Sequence, residues 1–452
     1  MKKTLLSCLV GWLLAVPATY AQTQTPTRAV KLLLGKGESQ HTHLASVYNA
    51  HRGTATITLP GRSTGRSWNS TANRWNTSGA VSTYSYDSRG NNTQVVYSDS
   101  ATAMPEGKEF YTYNSRNQVT EYSDQNWNGS AYVNDEREQY TYDAQGNNTL
   151  QVRQTWNGTA WVTQSSYRTT YTYNTANVVT SRVYEQLNMS NNIWEQDGRI
   201  TFTVNANNQW TEAVYQEWNN GAYVNDERTR NITWYDWGKL LPSYYEDQEW
   251  SGGAWVDDQR STITYQPNGS YVEVQQQPTA PNMWVNDDRI TTTYDNFGNL
   301  ILDQTESWNN NAWTITSADR TVLSYTATNE VRRAVEQEYN TSLGRYVNSY
   351  LTTYGSFVTL ATRRATGLEA AATLHPNPTA GTATISLSGL REQGTLPAEV
   401  LNVVGQVVQT MALRPQQGSI KQEINLTTLP AGVYTVRVHT SDGAVTKRVV
   451  KQ

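Results

Sequence analysis

The 452-residue chain is 37% hydrophobic and 16% charged, with a formal net charge of -4, a mean hydropathy of -0.67 and an isoelectric point near 5.8. That balance, with no basic stripe, argues against nucleic acid as a partner, and the single cysteine, Cys8, excludes disulfides and a cysteine-ligated metal. Low aliphatic content favours disorder, but 29 Tyr and 16 Trp supply large hydrophobes that suit strands.

In chain order, Lys2 and Lys3 precede the apolar run "TLLSCLVGWLLAV" and the small residues "ATYA". The pattern predicts a secretory signal over residues 1–21, with Cys8 inside it. The run is too short for a transmembrane helix, and no later stretch is apolar for long enough to make one. Residues 22–64 read as a polar lead. His41 and His43 would share a face of an extended segment, but no third metal ligand is evident, so a plain polar segment is the expectation.

Residues 65–362 repeat themselves. The aromatics Tyr132, Trp161, Trp194, Tyr223, Trp255, Trp284, Trp313 and Tyr346 recur at intervals of roughly thirty residues, the steps into Trp194, Trp255 and Tyr346 being slightly longer than the rest. Trp75 lies about two such periods before Tyr132, with a degenerate copy around Met104 between them. About ten repeats follow. In most, an Arg comes five residues after the aromatic (Arg137, Arg199, Arg228, Arg260, Arg289), and a "YxY" pair or its equivalent ends the strand. "DSRGN", "DAQGN" and "DNFGN" then make one turn, and "WNG" or "WNN" makes the next. Each repeat is therefore expected to be a hairpin that buries its aromatic face only against its neighbours.

The turn at Tyr86-Asp87 with Gly90-Asn91, repeated at Tyr142-Asp143 with Gly146-Asn147 and at Tyr294-Asp295 with Gly298-Asn299, resembles the YD repeats of the RHS family. The resemblance implies hairpins wound into a broad curved sheet or shell. "YNSRN", "YNTAN" and "YQPNG" depart from the pattern, and the family's toxin tip and autoproteolytic core are absent. Sequence does not choose between a long sheet, an arc and a closed shell; the uneven steps argue against a perfectly symmetric ring.

Of the five His, none lies in the repeats, and no nucleophile motif or phosphate loop is present. The recurring acids Asp135, Asp226, Asp258 and Asp287 are calcium candidates through their carboxylates. The competing expectation is a ladder of cross-strand pairs with the Arg that follows each cluster. Trp156, Trp218, Trp250 and Trp308, placed before turns, are candidates for stacking on glycan rings; the competing expectation packs each across its own turn on the next aromatic. No cofactor is expected.

After a linker over 363–373, residues 374–452 turn to short aliphatic strands with Gly and Pro turns, suited to a small sandwich. "HPNP" at His375 to Pro378, "VLNVVGQVV" from Val400, "INLTTLPAGVYTVRV" from Ile424 and the ending "KRVVKQ" resemble the C-terminal sorting domain of type IX secretion in Bacteroidota. The residues carrying the match are Pro376, Asn377, Pro378, Gly405, Gly432, Tyr434, Lys447 and Lys451. The resemblance implies the type IX machinery as a partner, passage across the outer membrane, and removal of the tail with release or surface attachment.

The fold expected is all-β: an array of about ten two-stranded antiparallel hairpin repeats, each of roughly thirty residues, followed by a small C-terminal β-sandwich. The function expected is a non-enzymatic secreted or cell-surface scaffold for adhesion or surface structure, with surface polysaccharide or protein as ligand. A carbohydrate-binding protein is the alternative, and a polysaccharide-degrading enzyme a third reading.

Overall fold

A computed structural model describes residues 56–87, 89–361, 366–390, 395–402, 407–440 and 443–452. The signal over 1–21 with Cys8, the lead up to residue 55 with His41, His43 and His51, and Gly405 all lie outside the described residues.

The described chain is almost all strand. Antiparallel strands from Arg62–Asn69 to Arg345–Gly355 form one closed barrel. The short strands Arg74–Trp75 and Ala80–Tyr86 pair with successive parts of Arg62–Asn69 and so act as one interrupted stave. Every later strand pairs with its sequence neighbours, and loops therefore alternate between two rims. One rim holds the YD turns and the other the WNG turns.

The YD turn explains why degenerate copies still work. In "DSRGN" the Asp87 carboxylate accepts the backbone N–H groups of Arg89 and Asn91 at 2.8 and 2.9 Å, and Gly90 sits at φ 85°. In "NSRNQ" and "NTANV", Asn114 and Asn174 accept the equivalent N–H groups, and Asn117 (φ 62°) and Asn177 (φ 59°) take the left-handed position. Asn is the residue other than Gly that enters this region most readily. At the other rim Asn220 and Gly221, Gly252 and Gly253, and Asn310 and Asn311 pair positive φ values in two-residue loops, the geometry that matches strand twist.

A β-bulge recurs three residues after the opening aromatic. Gln125 and Ser123 pair with Asn134 and Arg137, skipping Asp135 and Glu136. The skipped residue is Gln164 in the next repeat, then Asp197, Asp226, Asp258, the pair Asp287 and Asp288, Thr316 and Ser349. The bulge resolves a parity problem. Residues five apart on a regular strand point to opposite faces, yet Tyr132 and Arg137 share one, because the bulge supplies the extra step. It also bends the strand and adds twist, which a closing sheet needs.

The sheet closes where Arg62–Ser67 pair with Tyr350–Gly355. The longer periods are absorbed locally. The loops at 189–192 and 341–344, together with the longer strands Trp161–Tyr173 and Ala312–Tyr325, account for the long steps into Trp194 and Tyr346. The long step into Trp255 contains three register shifts between Ala222–Asp236 and Leu241–Ser251, and a 3-10 turn at Trp237–Lys239. Outside the barrel, Thr56–Leu59 pairs with Val358–Ala361.

One sheet face carries the apolar clusters. Val179, Tyr184, Ile200, Phe202, Trp210, Tyr215, Tyr245 and Tyr271 form the larger, and Tyr84, Val95, Tyr111, Val119 and Tyr122 the smaller. Tyrosine thus replaces Leu and Ile as the filling of a polar-looking sequence. The C-terminal strands form separate three- and four-stranded sheets around a different, aliphatic core that includes Ile385, Val400, Leu413, Ile424 and Val438. A short helix, Thr366–Ala371, precedes them.

Candidate functional site, an arginine–aromatic ladder

On the face opposite the tyrosine clusters, each repeat contributes a cation to the ring that opens the next. Lys108 lies over Tyr132, Arg137 over Trp161, Arg168 over Trp194, Arg199 over Tyr223, Arg228 over Trp255, Arg260 over Trp284, Arg289 over Trp313 and Arg320 over Tyr346, at 3.8 to 4.9 Å from the ring centroid. Such contacts stabilise by about 0.5–2 kcal/mol each, more as water is excluded.

The same guanidinium also holds the intervening strand. Arg137, Arg199, Arg260 and Arg320 donate through Nε to the side-chain oxygens of Gln154, Gln216, Gln276 and Gln337 at 2.6 to 2.9 Å. Those amides pass the bond on: Gln216 donates to Asn225, Gln276 to Asn286 and Gln337 to Asn348. Arg168 and Arg289 meet carboxylates instead, with both bonds of the Arg289–Glu306 fork at 2.7 and 2.8 Å. Arg289 holds the Glu306 carboxyl below its ordinary value. The expected Arg–carboxylate ladder is thus mixed with amides: Arg137 and Arg228 bond Gln154 and Gln248 and also lie 4.0 and 3.7 Å from the carboxylates of Glu121 and Glu212 on the preceding strand. The acids that suggested it sit at the bulges, out of register with the Arg that follows.

Behind six of these eight cation-capped rings stands an edge-to-face partner from the same hairpin: Trp127–Tyr132, Trp156–Trp161, Trp218–Tyr223, Trp250–Trp255, Trp308–Trp313 and Tyr339–Tyr346, with centroids 4.8 to 5.3 Å apart; Trp194 and Trp284 have Leu187 and Pro278 opposite them instead. All four glycan candidates thus contact the aromatic across their own turn. Trp218 is the exposed one; the other three are half-buried.

Of the calcium candidates, Asp135 accepts from the Asn126 amide at 2.7 Å, and burial pushes Asp287 upward, with Asp288 adding to the shift. Among the described residues, no group of three or more His, Cys, Asp or Glu is arranged to hold a metal ion.

The tyrosine face ties repeats together at the other rim. The hydroxyls of Tyr86, Tyr113, Tyr142 and Tyr265 donate to the carbonyls of Pro60, Asn92, Val119 and Pro242 at 2.7 to 3.0 Å, and burial raises Tyr86, Tyr113 and Tyr265 above the usual tyrosine range. Tyr173 and Tyr325 instead donate to Asp143 and Asp295 of the preceding YD turn.

This face also carries facing carboxylates. Glu109 stands opposite Asp124, and Asp303 opposite Asp319, an unfavourable arrangement when all are charged. Burial is the main cause that pushes Asp124 up to about 6, although the Glu136 N–H donates to it at 2.7 Å. Glu336 is pushed up to about 7, by burial first and then by Asp319 and Glu338. A cavity of about 100 Å³ is lined by Asp303, Asp319, Glu336 and Glu338.

The residues that sequence reasoning passed over are the Gln and Glu acceptors and the role of the Arg. A signal was available: Lys108, Arg137, Arg199, Arg260 and Arg289 each precede the next opening aromatic by one and the same offset.

In the tail, Asn377 donates to the Arg448 carbonyl at 2.8 Å and accepts from the Val450 N–H at 2.9 Å, so the "PNP" segment clasps the last strand, Gly443–Lys451. His375-Pro376 and Asn377-Pro378 are cis. Tyr434 donates to the Pro430 carbonyl at 2.8 Å. Gly432 and Lys451 are register partners, and Lys447 pairs with Val436.

No curated protein matches the chain. Among solved structures, a porin-like protein from Bacteroides uniformis is 10% identical and aligns over 66% of this chain and 97% of its own, with a TM-score of 0.26. A protein of unknown function from Bacteroides fragilis is 10% identical over 34% of this chain and 91% of its own, with a TM-score of 0.19. TcdB2-TccC3, an RHS/YD-repeat protein, is 12% identical over 63% of this chain and 16% of its own, with a TM-score of 0.28. Residues 373–452 match the family model described as the secretion system C-terminal sorting domain. This chain carries a type IX sorting domain behind its barrel, and that domain marks it for export to the cell surface or the extracellular space.

Proposed function

We propose that the barrel is a non-enzymatic scaffold of the cell surface or its surroundings, serving adhesion or surface structure. The observation that supports this reading is the ring-wide repetition of one side-chain unit. Cation, amide and aromatic recur in repeat after repeat, and each is spent on joining its own repeat to the next. An active site occurs once, in asymmetric surroundings; this unit is distributed around a closed wall. The type IX machinery is the partner of the tail, and the partner of the barrel is a surface polymer or protein.

Trp218 supports a second reading, carbohydrate binding, because it is the exposed member of the four turn tryptophans. The two are separated by titrating the full chain with soluble polysaccharides, following tryptophan fluorescence and the release of reducing ends together. The scaffold reading expects neither signal. A saturable fluorescence shift abolished by Trp218→Ala moves the assignment to sugar binding, and release of product overturns the non-enzymatic reading.

A further inference from the structure

The four Asn-Gly steps of the chain, at 128–129, 157–158, 220–221 and 268–269, sit in three different backbone settings. At such a step the main chain can attack its own side chain, because glycine leaves its nitrogen unhindered. The setting then decides whether that attack is helped or blocked.

At Asn128 the side-chain Oδ1 accepts from the Ser130 N–H at 3.0 Å, the Ser130 hydroxyl at 3.0 Å and the Ala131 N–H at 2.9 Å. At Asn157 the same oxygen accepts from the Thr159 N–H at 3.0 Å, the Thr159 hydroxyl at 2.9 Å and the Ala160 N–H at 2.9 Å. Both loops are exposed, and each turn folds the Asn side chain back along the chain that follows it. The Gly129 and Gly158 N–H groups donate to no carbonyl among the described residues, and open space lies beside both glycines. Asn268 is different. Its Oδ1 accepts from the Ser270 N–H at 3.1 Å, but its amide nitrogen donates to the Tyr294 carbonyl at 2.8 Å and the Gly269 N–H to the Gln266 carbonyl at 2.9 Å. The attacking and the departing nitrogen are thus both held. Asn220 stands at φ 50° in a two-residue loop, with no donor directed at its side-chain oxygen among the described residues.

We propose that Asn128 and Asn157 are self-modification sites, where the donors around Oδ1 favour closure to a succinimide and its hydrolysis to isoaspartate. The Gly nitrogen gives its proton to water and bonds to Cγ. Negative charge then gathers on Oδ1, where three donors already stand at 2.9 to 3.0 Å in each loop, the range at which placed donors stabilise an oxyanion. The Cγ–Nδ2 bond breaks, and the departing nitrogen takes a proton from water and leaves as ammonia. A second water opens the ring at either carbonyl, giving aspartate or isoaspartate. No oxidant or reductant takes part. Each event adds a negative charge and, in isoaspartate, one methylene to the main chain. It falls in the turn that holds the Trp127–Tyr132 or the Trp156–Trp161 pair. The proposal goes beyond the scaffold reading and does not depend on it.

The test is incubation of the folded full chain at mildly alkaline pH, followed by trypsin and mass spectrometry. Trypsin places each Asn in its own peptide: 117–137, 154–168, 200–228 and 261–289. Deamidation is read as a mass gain of about 1 Da assigned to its residue by fragmentation, and isoaspartate by labelling with an isoaspartyl methyltransferase. Asn128 and Asn157 should convert at least about tenfold faster than Asn220 and Asn268, with isoaspartate among the products. Ser130→Ala should slow Asn128 and leave Asn157 alone, and Thr159→Val should do the reverse, so the unaltered loop reports that each variant still folds. In concentrated urea the four rates should converge. Four results overturn the proposal. They are equal rates or earlier conversion of Asn220 in the folded chain, rates unchanged in both hydroxyl variants, aspartate without isoaspartate, and the same ranking in urea as in the folded chain.

Discussion

Replacing Glu336 by Gln should make the barrel more stable at neutral pH and leave it unchanged in acid. Glu336 is half-buried opposite Thr321 and Tyr350, with Asp319 and Glu338 on the same face, and its Oε1 has no hydrogen-bond partner among the described residues. Burial and those two carboxylates raise it from 4.5 to about 7. The folded chain therefore holds this proton more tightly than the unfolded chain does. Its stabilising contribution is complete below about pH 4.5 and is lost as the pH rises through 7. At roughly 1.4 kcal/mol per pH unit, discounted for partial exposure, the span corresponds to about 2–3 kcal/mol. Gln keeps the shape of the protonated acid and cannot ionise. Urea unfolding followed by tryptophan fluorescence, at a series of pH values from 4.5 to 8, measures the difference between variant and parent. Asp124 titrates in both proteins and cancels from that difference. The expected curve starts within about 0.5 kcal/mol of zero and rises to about 2–3 kcal/mol in favour of Gln. A flat difference, or one that favours Glu336 as pH rises, would refute the argument.

Substitutions at three further positions test the joints. Arg289→Ala should cost about 2 kcal/mol by removing both the Trp313 contact and the fork to Glu306, with Arg289→Lys recovering only part because it keeps the charge and loses the fork; melting temperature reports both. Gly146 sits at φ 95°, so Gly146→Ala should cost about 1 kcal/mol or more, while Gly146→Asn should be milder, because Asn117 and Asn177 already serve in that turn position. Asn377→Ala should lower the stability of the sorting domain by about 1–2 kcal/mol, since it strands the Arg448 carbonyl and the Val450 N–H. Hydrogen exchange at Val450 is the direct readout.

The hairpins were legible because their signals are local. A turn residue at fixed offset and an aromatic recurring once per repeat both report on neighbouring residues, and Asn117 and Asn177 show that even the degenerate turns obeyed the same backbone rule. The ladder was harder to read. Arg137 and Trp161 meet across an intervening strand, and the five-residue spacing from Tyr132 to Arg137 points to opposite faces unless a bulge is already known. The bulge itself is written in residues as different as Asp226, Gln164 and Ser349, so no side-chain chemistry announces it. Closure was not legible for another reason. Thr64 and Thr353 are partners from opposite ends of the array, and nothing in either segment names the other.

That last pairing has a temporal consequence. Until Tyr350–Gly355 reaches Arg62–Ser67, the array has two open edges, each a row of unpaired backbone donors and acceptors that can recruit another chain. The strand that removes both edges is the last of the barrel to be synthesised, just ahead of the sorting tail. A chain cut short by one hairpin thus keeps most of its cation contacts and loses its seal. Such a chain would be sticky rather than unfolded, pairing edge to edge with its own copies, so the economical way to sense a complete molecule is by its seam.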